Sequence, residues 1–537
     1  MRSWGRFTGY NVQLLRRDLV AGLIVGIVAI PLAMSFAIAS GVKPQFGIYT
    51  TIVAGILIAL LGGSRFQIGG PTGAFVPILL GVVLQYGYEK LLLAGMLAGI
   101  LLVLMGLLKL GSLIQFIPRP VTIGFTAGIA VLIFSGQLAG FLGLREVSSH
   151  ASFLANMREI VVHLTTWNGY SLITALLCLA VLIGLPKLLP AIPASLVGLV
   201  VSTAAAALFF RGKTPTIGSS YGEIPNMLPT IALPTITPEL IMQLLPAALV
   251  IAMLGGIESL LSAVVADGMT STRHNSNREL VGQGIANIVT PLFGGIPATG
   301  AIARTATNIK SGAATPLSGI VHGIVVLLVL LIFAPFASEI PLAGMAPILM
   351  VVAWNMSERK HFLHLLKART SDSIVLLATF ALTVLVSLTT AVLTGLVLSL
   401  LFLVRQLKTG TKIQAATASS VHIFTIEGPL FFATAQHLER TISDTLRMKP
   451  NKVLVRMEHV PFIDASGEHM LASLTRTVLL AGGNVMMSGL QRQPSEYIRL
   501  TALDRLIGEG NIYDHFEDAL RAATLDSFEE KELPSGT

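Results

Sequence analysis

A short motif occurs twice in this chain of 537 residues. The first copy reads Gly-Gly-Pro-Thr-Gly-Ala at 69–74, and the second reads Gly-Gly-Ile-Pro-Ala-Thr-Gly-Ala at 294–301. Glycine and proline oppose a helix that enters from upstream, whereas threonine is a good N-cap and alanine is a good helix former. We therefore expect an apolar helix to follow each copy, and we expect the second of these helices to begin near Thr299.

The depth of such a helix start decides what it can do. If it lies inside a membrane, its free backbone N–H groups and its dipole form an anion site. Arg304, about one turn further along, would add a full positive charge. The alternative is a pair of glycine-rich loops at the membrane surface. Interrupted segments at matching places in two halves of a chain favour the first interpretation, because they are typical of transporters built from inverted repeats.

Composition predicts that the chain is an integral membrane protein. It is 53% hydrophobic and 12% charged, with a mean hydropathy of +0.77, whereas soluble domains carry about 25% charged residues. Because a crossing needs about 20 apolar residues, and a broken one fewer, we predict fourteen spans. In order they are 18–39, 46–62, 71–85, 90–109, 120–142, 170–189, 192–210, 241–264, 279–292, 299–309, 313–336, 341–356, 372–388 and 390–405.

Basic residues predict the orientation of these spans. Arg2, Arg6, Arg16 and Arg17 precede the first span, and every second connection after it contains Lys or Arg. Both termini and these connections are therefore expected in the cytoplasm. The two motif copies then fall in the third and tenth spans, the same place in each group of seven. The predicted fold is an α-helical polytopic protein of the inner (plasma) membrane, built as a seven-plus-seven inverted repeat.

The chain changes character after Lys408, where charged residues become frequent. Segments 421–426, 452–457 and 484–489 predict strands, and segments 434–448 and 465–481 predict helices, which together indicate a cytoplasmic α/β domain. We expect a cytoplasmic N-terminus at 1–17, a transmembrane transport domain at 18–408, the α/β domain at 418–524 and a disordered tail at 525–537.

Glu258 is an acid within the eighth predicted span, and an acid at this depth indicates an ion or proton pathway. Ser262 lies four residues on, so both side chains share one helix face and are predicted to bind the coupling ion. The alternative is that Glu258 only pairs with Arg304 to hold helices together. The polar residues that follow, including Asp267 and Glu279, are expected in a solvated loop.

Several functional classes are not supported. Cys178 is the only cysteine, and no histidine spacing suggests a metal site, so we expect no metal and no cofactor. The formal net charge of +8 is explained by basic cytoplasmic loops, so nucleic acid is not an expected partner. No hydrolytic or redox arrangement is visible, and an enzyme with catalytic residues is not predicted.

The chain resembles the SulP anion-transporter family, which includes prestin, pendrin and cyanobacterial bicarbonate carriers. The similarity rests on residues 29–37, 70–75 and 118–126, on the sequences around Glu258 and Arg304, and on a C-terminal segment similar to STAS domains. This resemblance implies core and gate subdomains, with the anion between the starts of spans three and ten. The residues then implied in substrate binding are Phe36, Thr72, Gly73, Ala74, Thr299, Gly300, Ala301 and Arg304.

This sequence also departs from its relatives. Leu32 stands where many of them have Gln or Glu, so no polar contact to the substrate is expected from that position. Glu258 and Ser262 stand where similar sodium-coupled bicarbonate carriers have Asp and Thr, which favours protons over sodium. In the STAS segment, Ser466 occupies the phosphoacceptor position of anti-sigma-factor antagonists. Ser466 as a cap of the following helix, in a domain used for assembly and regulation, is the alternative.

The predicted function is secondary active transport of a small inorganic anion, of the sulfate or bicarbonate class, by proton symport with an elevator-like movement. The expected partners are the anion, a proton or sodium ion, the lipid bilayer and a second copy of the chain in a homodimer. Alternatives are a sodium-coupled bicarbonate or dicarboxylate symporter, an anion exchanger, an uncoupled anion channel, and a signalling protein anchored by its membrane part.

Overall fold

The computed structural model describes residues 11–111, 118–150, 152–189, 192–227, 231, 236–367, 371–406, 412–418, 421–432 and 451–529. The chain divides into two units. The first comprises residues 1–115, 128–357 and 384–389, and the second comprises residues 116–127, 358–383 and 390–537.

Residues 12–406 are almost entirely helical in their described part. The helices up to the second motif copy are α1 (Val12–Ala39), α2 (Pro44–Leu61), α3 (Val76–Tyr86), α4 (Tyr88–Leu107), α5 (Arg119–Gly136), α6 (Leu138–Leu142), α7 (Phe153–Val162), α8 (Gly169–Leu188), α9 (Ala194–Phe209), α10 (Ile217–Tyr221), α11 (Pro238–Thr270) and α12 (Ser276–Val289). After it come α13 (Ile302–Lys310), α14 (Leu317–Ala337), α15 (Leu342–Met356), α16 (Arg359–Lys367), α17 (Ser371–Leu385) and α18 (Leu388–Gln406).

A helix lies in each of the fourteen segments that were predicted as spans. Among the described residues, seven helices have the length and apolar composition to cross a membrane, and four shorter apolar helices accompany them. The longest of the seven, α11, has 33 residues, so it extends beyond the predicted segment 241–264 at both ends. It begins where the Thr237 hydroxyl caps the Leu240 N–H, as expected for a threonine N-cap.

Glycines allow the helices of the first unit to approach closely. A Cβ atom on Gly99 of α4 would lie 2.6 Å from the carbonyl oxygen of Gly284 of α12, and a Cβ on Gly284 would lie equally close to the Gly99 carbonyl. A Cβ on Gly47 of α2 would lie 2.0 Å from the Ala33 carbonyl of α1. Small residues are favoured at such crossings because helix packing in membranes depends on van der Waals contact.

Two short strands lie in the first unit, β1 (Gly69–Gly70) and β2 (Thr299–Gly300), and the second unit contains a five-stranded sheet whose strands follow one another in chain order. Its strands are β3 (Lys412–Ala418), β4 (Val421–Glu427), β5 (Lys452–His459), β6 (Asn484–Ser488) and β7 (Ile512–Tyr513). Strands β3 and β4 are antiparallel and the other neighbours are parallel. Its helices are α19 (Ala465–Leu480), α20 (Arg492–Leu500), α21 (Leu503–Ile507) and α22 (Phe516–Glu529).

The α/β prediction for this region is confirmed, with strands and a helix at four of the predicted positions. The predicted helix at 434–448 lies outside the described residues. Helix α22 continues to Glu529, which is inside the segment predicted as a disordered tail from 525. Strand β3 was not predicted. Its residues Gln414 to Thr417 are small or polar and all exposed, so the sequence lacks the apolar alternation of a half-buried strand.

Candidate functional site

The two copies of the motif lie against each other in the first unit. Strand β1 (Gly69–Gly70) pairs with strand β2 (Thr299–Gly300) in antiparallel register, with Gly69 opposite Gly300 and Gly70 opposite Thr299. The pairing continues through a hydrogen bond of 2.8 Å from the Ala301 N–H to the Ile68 carbonyl. The two helix starts are therefore brought together by backbone hydrogen bonds that neither segment could form alone.

The helix after the second copy begins later than the sequence suggests. Helix α13 starts at Ile302 with Ala301 at its N-cap, a few residues after the predicted start near Thr299, and the predicted N-cap role of Thr299 was wrong. In the first copy, Thr72 precedes a 3₁₀ turn (Gly73–Phe75) that leads into α3, and its side chain makes no cap. Neither threonine hydroxyl caps its own helix because each has a partner on a third helix.

Helix α11 supplies both of these partners. The Thr299 hydroxyl donates to the Gly255 carbonyl at 2.9 Å, and the Thr72 hydroxyl donates to the Glu258 carboxylate at 2.8 Å. Gly255 and Glu258 are three residues apart and lie on one face of α11. We call α3, with the 3₁₀ turn before it, the first half-helix, and α13 the second half-helix. Glu258 is held beside the start of the first half-helix, and α11 contacts both copies of the motif.

Arg304 reaches from the second half-helix to the first. Its side chain is buried, with 3% of the residue exposed, and its Nη2 donates to the carbonyl oxygen of Pro71. The other terminal nitrogen, Nη1, has no hydrogen-bond partner among the described residues. It lies over Gly70, where an added Cβ atom would approach Nη1 to 2.7 Å. A buried guanidinium with one unpaired NH₂ group is suited to bind an oxyanion.

The proposed pairing of Glu258 with Arg304 does not occur among the described ion pairs. The recorded partner of Glu258 is Thr72, and Glu258 is partly exposed whereas Arg304 is buried. Ser262 is fully buried and donates to the Thr305 hydroxyl at 3.2 Å. The hydroxyl of Ser262 is therefore directed to α13, not to the carboxylate one turn away.

The other predicted substrate-binding residues surround the same helix starts. Phe36, Thr72, Ala74, Thr299 and Ala301 are all buried. A Cβ atom on Gly73 would lie 3.3 Å from Cε1 of Phe36, which places the aromatic ring against the first half-helix. The residues that sequence reasoning predicted at distant positions are thus neighbours in the structure.

Several residues near the site had no recognisable sequence signal. Gln67 is buried and neither its amide nitrogen nor its oxygen has a hydrogen-bond partner in the described part of the chain. The Asn287 side chain holds the loop before β2, accepting from the Ala298 N–H and donating to the Ala298 carbonyl, both at 2.8 Å. A single Gln or Asn between apolar segments gives no indication of these contacts, which depend on residues far away in the chain.

Glu279 was expected in a solvated loop, and this was wrong. It lies in the first turn of α12, has no exposed surface, and accepts from the backbone N–H groups of Gly63 and Ser64 at 2.7 and 3.0 Å. The carboxylate thereby fixes the turn that leads from α2 into β1. Its hydrogen bonds explain why a charged group can be buried there.

Ser466 lies in the second unit, in the first turn of α19. The Asp464 carboxylate caps this helix by accepting from the Ser466 and Gly467 N–H groups, both at 2.8 Å, and the Asp372 carboxylate accepts from the Ala465 N–H at 2.9 Å. The N-cap of α19 is therefore Asp464, and the predicted capping role of Ser466 was wrong. Burial and the negative charge of Asp372 raise the pKa of Asp464 to about 8.

Comparison with known proteins identifies two regions of the chain. Residues 15–379 match the model of the sulfate permease family, and residues 412–519 match the STAS domain. YvdB of Bacillus subtilis (strain 168), whose assignment as a sulfate transporter is provisional, is 53% identical over 527 residues, which are 96% of this chain and 99% of YvdB. The bicarbonate transporter BicA of Picosynechococcus sp. is 30% identical over 79% of this chain and 80% of its own length.

Solved structures show the same fold. The transmembrane domain of a cyanobacterial BicA, 31% identical, matches with a TM-score of 0.64 over 72% of this chain and 98% of that domain. SLC26A9, 19% identical, matches with a TM-score of 0.68 over 99% of this chain and 93% of its own. The half-helix crossing thus lies in a helical transporter fold followed by a STAS domain, and the chain belongs to the sulfate permease family of membrane anion transporters.

Proposed function

We propose that this protein carries a small inorganic anion of the sulfate or bicarbonate class into the cytoplasm together with protons. The observation that supports this proposal most directly is the hydrogen bond from Thr72 to Glu258. It connects an acid within a membrane helix to the start of the half-helix where the anion would bind. Anion and proton would therefore occupy adjacent sites.

In this proposal the anion lies between the start of α13 and the 3₁₀ turn before α3, close to Arg304 and Phe36. The unpaired Nη1 of Arg304 donates to it, and the first N–H groups of each half-helix have no partner within their own helix. The N–H of Ala301 already donates to Ile68, so Ala301 contributes shape but no hydrogen bond. Thr72, Gly73, Ala74, Thr299 and Gly300 form the remaining walls.

Coupling follows from electrostatics. An anion beside Arg304 adds negative charge near Glu258 and so favours the protonated form of this carboxyl group. By linkage, a proton on Glu258 favours anion binding by the same factor. The two ligands then bind and leave together, which is symport. Thr72 can donate to Glu258 in either protonation state, because a carboxylic acid retains an oxygen that accepts.

Sulfate and bicarbonate are the two anions that the relatives suggest. YvdB is provisionally a sulfate transporter and BicA is a bicarbonate transporter, and a guanidinium matches the planar and tetrahedral oxygen arrangements of both. Sodium is the alternative coupling ion, with Glu258 and Ser262 as ligands. The Ser262 hydroxyl contacts Thr305 on α13 and not Glu258, and this supports protons instead, because a sodium site would need both side chains to face one ion.

The wider architecture belongs to the same proposal. Fourteen spans as a seven-plus-seven inverted repeat would place both termini in the cytoplasm, in the inner (plasma) membrane. An elevator-like movement of the core against the gate would carry the site across, and the STAS domain would support a homodimer. The proposal also includes boundaries of 418–524 for the STAS domain and a role of Ser466 as a phosphoacceptor.

The experiment that tests the function is uptake of radiolabelled sulfate and bicarbonate into proteoliposomes that contain the full chain. We expect one of the two anions to accumulate above its external concentration when an inward proton gradient is imposed without sodium. A protonophore should abolish the accumulation because it dissipates the driving force. Empty liposomes with the same gradient give the background.

Three outcomes would contradict the proposal. Accumulation that requires a sodium gradient and does not respond to protons would assign coupling to sodium. Electrical current that carries the anion without any accumulation against a gradient would indicate an uncoupled channel. Exchange that requires an internal anion, in the absence of net uptake, would identify an exchanger.

A further inference from the structure

A cavity of about 470 Å³ lies in the first unit, and we name it the vestibule. Its walls come from the C-terminal ends of α1 and α5, from α3, from α15 and from the loop at 143–150. Ser35, Ser135 and Ser148 line it together with aliphatic residues such as Leu80 and Leu349. In the predicted topology, this end of α1 faces the outside of the cell.

Ile133 of α5 borders both the vestibule and the turn that begins at Gly73. It lines the vestibule, and a Cβ atom on Gly73 would lie 3.2 Å from its Cδ1. Gly73 begins the 3₁₀ turn before α3 and is part of the proposed anion site, and it is not among the residues that line the vestibule. Ile133 itself is 2% exposed. The Ile133 side chain thus lies near Gly73 and also borders the vestibule, which Val76 and Pro77 at the start of α3 line as well.

Two further apolar side chains lie close to Gly73. A Cβ atom at this glycine would lie 3.3 Å from Cε1 of Phe36 on α1 and 3.5 Å from Sδ of Met356 at the end of α15. Phe36 is 5% exposed. None of the three side chains can donate a hydrogen bond. An anion approaching from the vestibule would have to lose its water there without receiving any replacement.

The physical consequence is a barrier to hydrated ions. Removing the hydration shell of an ion in apolar surroundings is costly unless the ion is paired. Apolar constrictions in membrane proteins close pathways by excluding water, without any covalent or charged obstacle. Phe36, Ile133 and Met356 form an apolar constriction of this kind. Of the three residues, Ile133 lines the vestibule.

We propose that Ile133 closes the vestibule from the anion site and that the vestibule is the route by which anions reach this site from outside. This inference rests on the proposed function, because it takes the half-helix starts as the anion site. It assigns Ile133 a role in access, whereas Arg304 and the helix starts provide binding. The side chain must move away from Gly73 when the site opens outward.

Access of a thiol reagent tests this proposal. The single native cysteine, Cys178, is buried, so Cys178→Ser gives a background without thiols. Ala74→Cys then places a thiol next to Gly73. The full chain in intact cells is treated with a membrane-impermeant methanethiosulfonate reagent, which reaches only the outer face, and labelling is measured by mass spectrometry. We expect Ile133→Ala to increase the labelling rate by about tenfold or more, because it removes the apolar side chain from the constriction.

Two variants control for other effects. Ile129→Ala removes the same atoms one turn earlier on α5, from a buried residue that does not line the vestibule, and it should not change labelling. Ile133→Val retains most of the side chain and the fold, and it should give an intermediate rate. Equal labelling rates with Ile133 and with its Ala and Val variants would overturn the proposal. So would an equal increase in Ile129→Ala.

The labelling experiment tests the access route, whereas the transport experiment tests the proposed function. The labelling rates do not depend on which ion is coupled, or on whether any anion accumulates in proteoliposomes. If the parent protein fails to transport and Ile133→Ala still accelerates labelling, the proposed function is wrong and the constriction remains supported. If transport occurs and labelling does not respond to Ile133, the access route proposed here is wrong and the function stands.

Discussion

Thr72 and Glu258 are joined by a hydrogen bond of 2.8 Å although 186 residues separate them in sequence. Thr72 precedes the first half-helix and Glu258 lies within α11, whose Gly255 carbonyl accepts from Thr299 before the second half-helix. Movement of α11 would therefore act on both helix starts. The relationship also places a titratable group in direct contact with the proposed anion site, which gives the coupling hypothesis a defined chemical basis.

Glu258→Gln tests the coupling role. Glutamine resembles the protonated acid, and its carbonyl oxygen can still accept from Thr72. The variant should bind and exchange the anion yet fail to concentrate it under an inward proton gradient. Uptake and counterflow in proteoliposomes measure the two activities separately. Glu239→Gln, at the exposed start of the same helix, is the matched control. Proton-driven accumulation at the parent level in Glu258→Gln would refute the assignment.

Arg304 is predicted to supply most of the electrostatic attraction for the anion. Arg304→Ala removes both the positive charge and the unpaired Nη1, so anion binding should fall below detection. Arg304→Lys keeps the charge without the planar fork and should retain only part of the affinity. Lys310→Ala, at the exposed end of the same helix, should bind normally. Isothermal titration with the purified protein measures these affinities, and normal affinity in Arg304→Ala would exclude the arginine from the site.

The elements and the charged groups of this site were predictable to different extents. The paired helix interruptions follow from glycine and proline, which act locally, and Glu258 was identified because an acid is exceptional in an apolar segment. The pairing of Gly69 with Gly300 and the partners of Thr72 and Thr299 depend on chain folding over long distances. Sequence alone therefore predicted a helix cap at Thr299, whereas the hydroxyl groups of both Thr72 and Thr299 bind partners on α11.

Glu279 and Gln67 show the same limit. Glu279 lies among polar residues in sequence, and only its hydrogen bonds to Gly63 and Ser64 explain its burial. Gln67 packs against the second motif copy, since a Cβ on Gly300 would meet its amide nitrogen at 1.9 Å. Both contacts connect segments more than 200 residues apart, as the separation of 216 between Gly63 and Glu279 illustrates. Periodicity and composition contain no information about such pairs.

Gly70→Ala should disrupt the site by a steric route. Gly70 has a φ of 152°, which is unfavourable for residues with a side chain, and its Cβ would lie 2.7 Å from Nη1 of Arg304. We expect the guanidinium to be displaced and the anion affinity to fall by at least about tenfold, which corresponds to about 1.4 kcal/mol. Gly81→Ala on α3, where an added Cβ meets nothing within 4 Å, is the control. Similar affinities in the two variants would show that the position of Nη1 is unimportant.

The carboxyl groups at the start of α19 predict a dependence of stability on pH. Burial, with a further contribution from Asp372, raises the pKa of Asp464 from 3.8 to about 8, and hydrogen bonds from Gly467, Phe432 and Ser466 oppose the shift. Between these values the folded protein holds a proton that the unfolded chain releases. The resulting stabilisation is complete below the unfolded pKa and is lost as the pH rises through the folded value.

Asp372→Asn removes the like charge while its amide oxygen can still accept from the Ala465 N–H. It should lower the pKa of Asp464, so the apparent melting temperature of the full chain should fall less between pH about 6 and about 8 than in the parent. Thermal unfolding in detergent measures this difference, and Asp518→Asn, at an exposed position of α22, controls for net charge. Parallel pH profiles in the parent and in Asp372→Asn would mean that the two carboxyl groups do not interact, and that burial alone raises the pKa of Asp464.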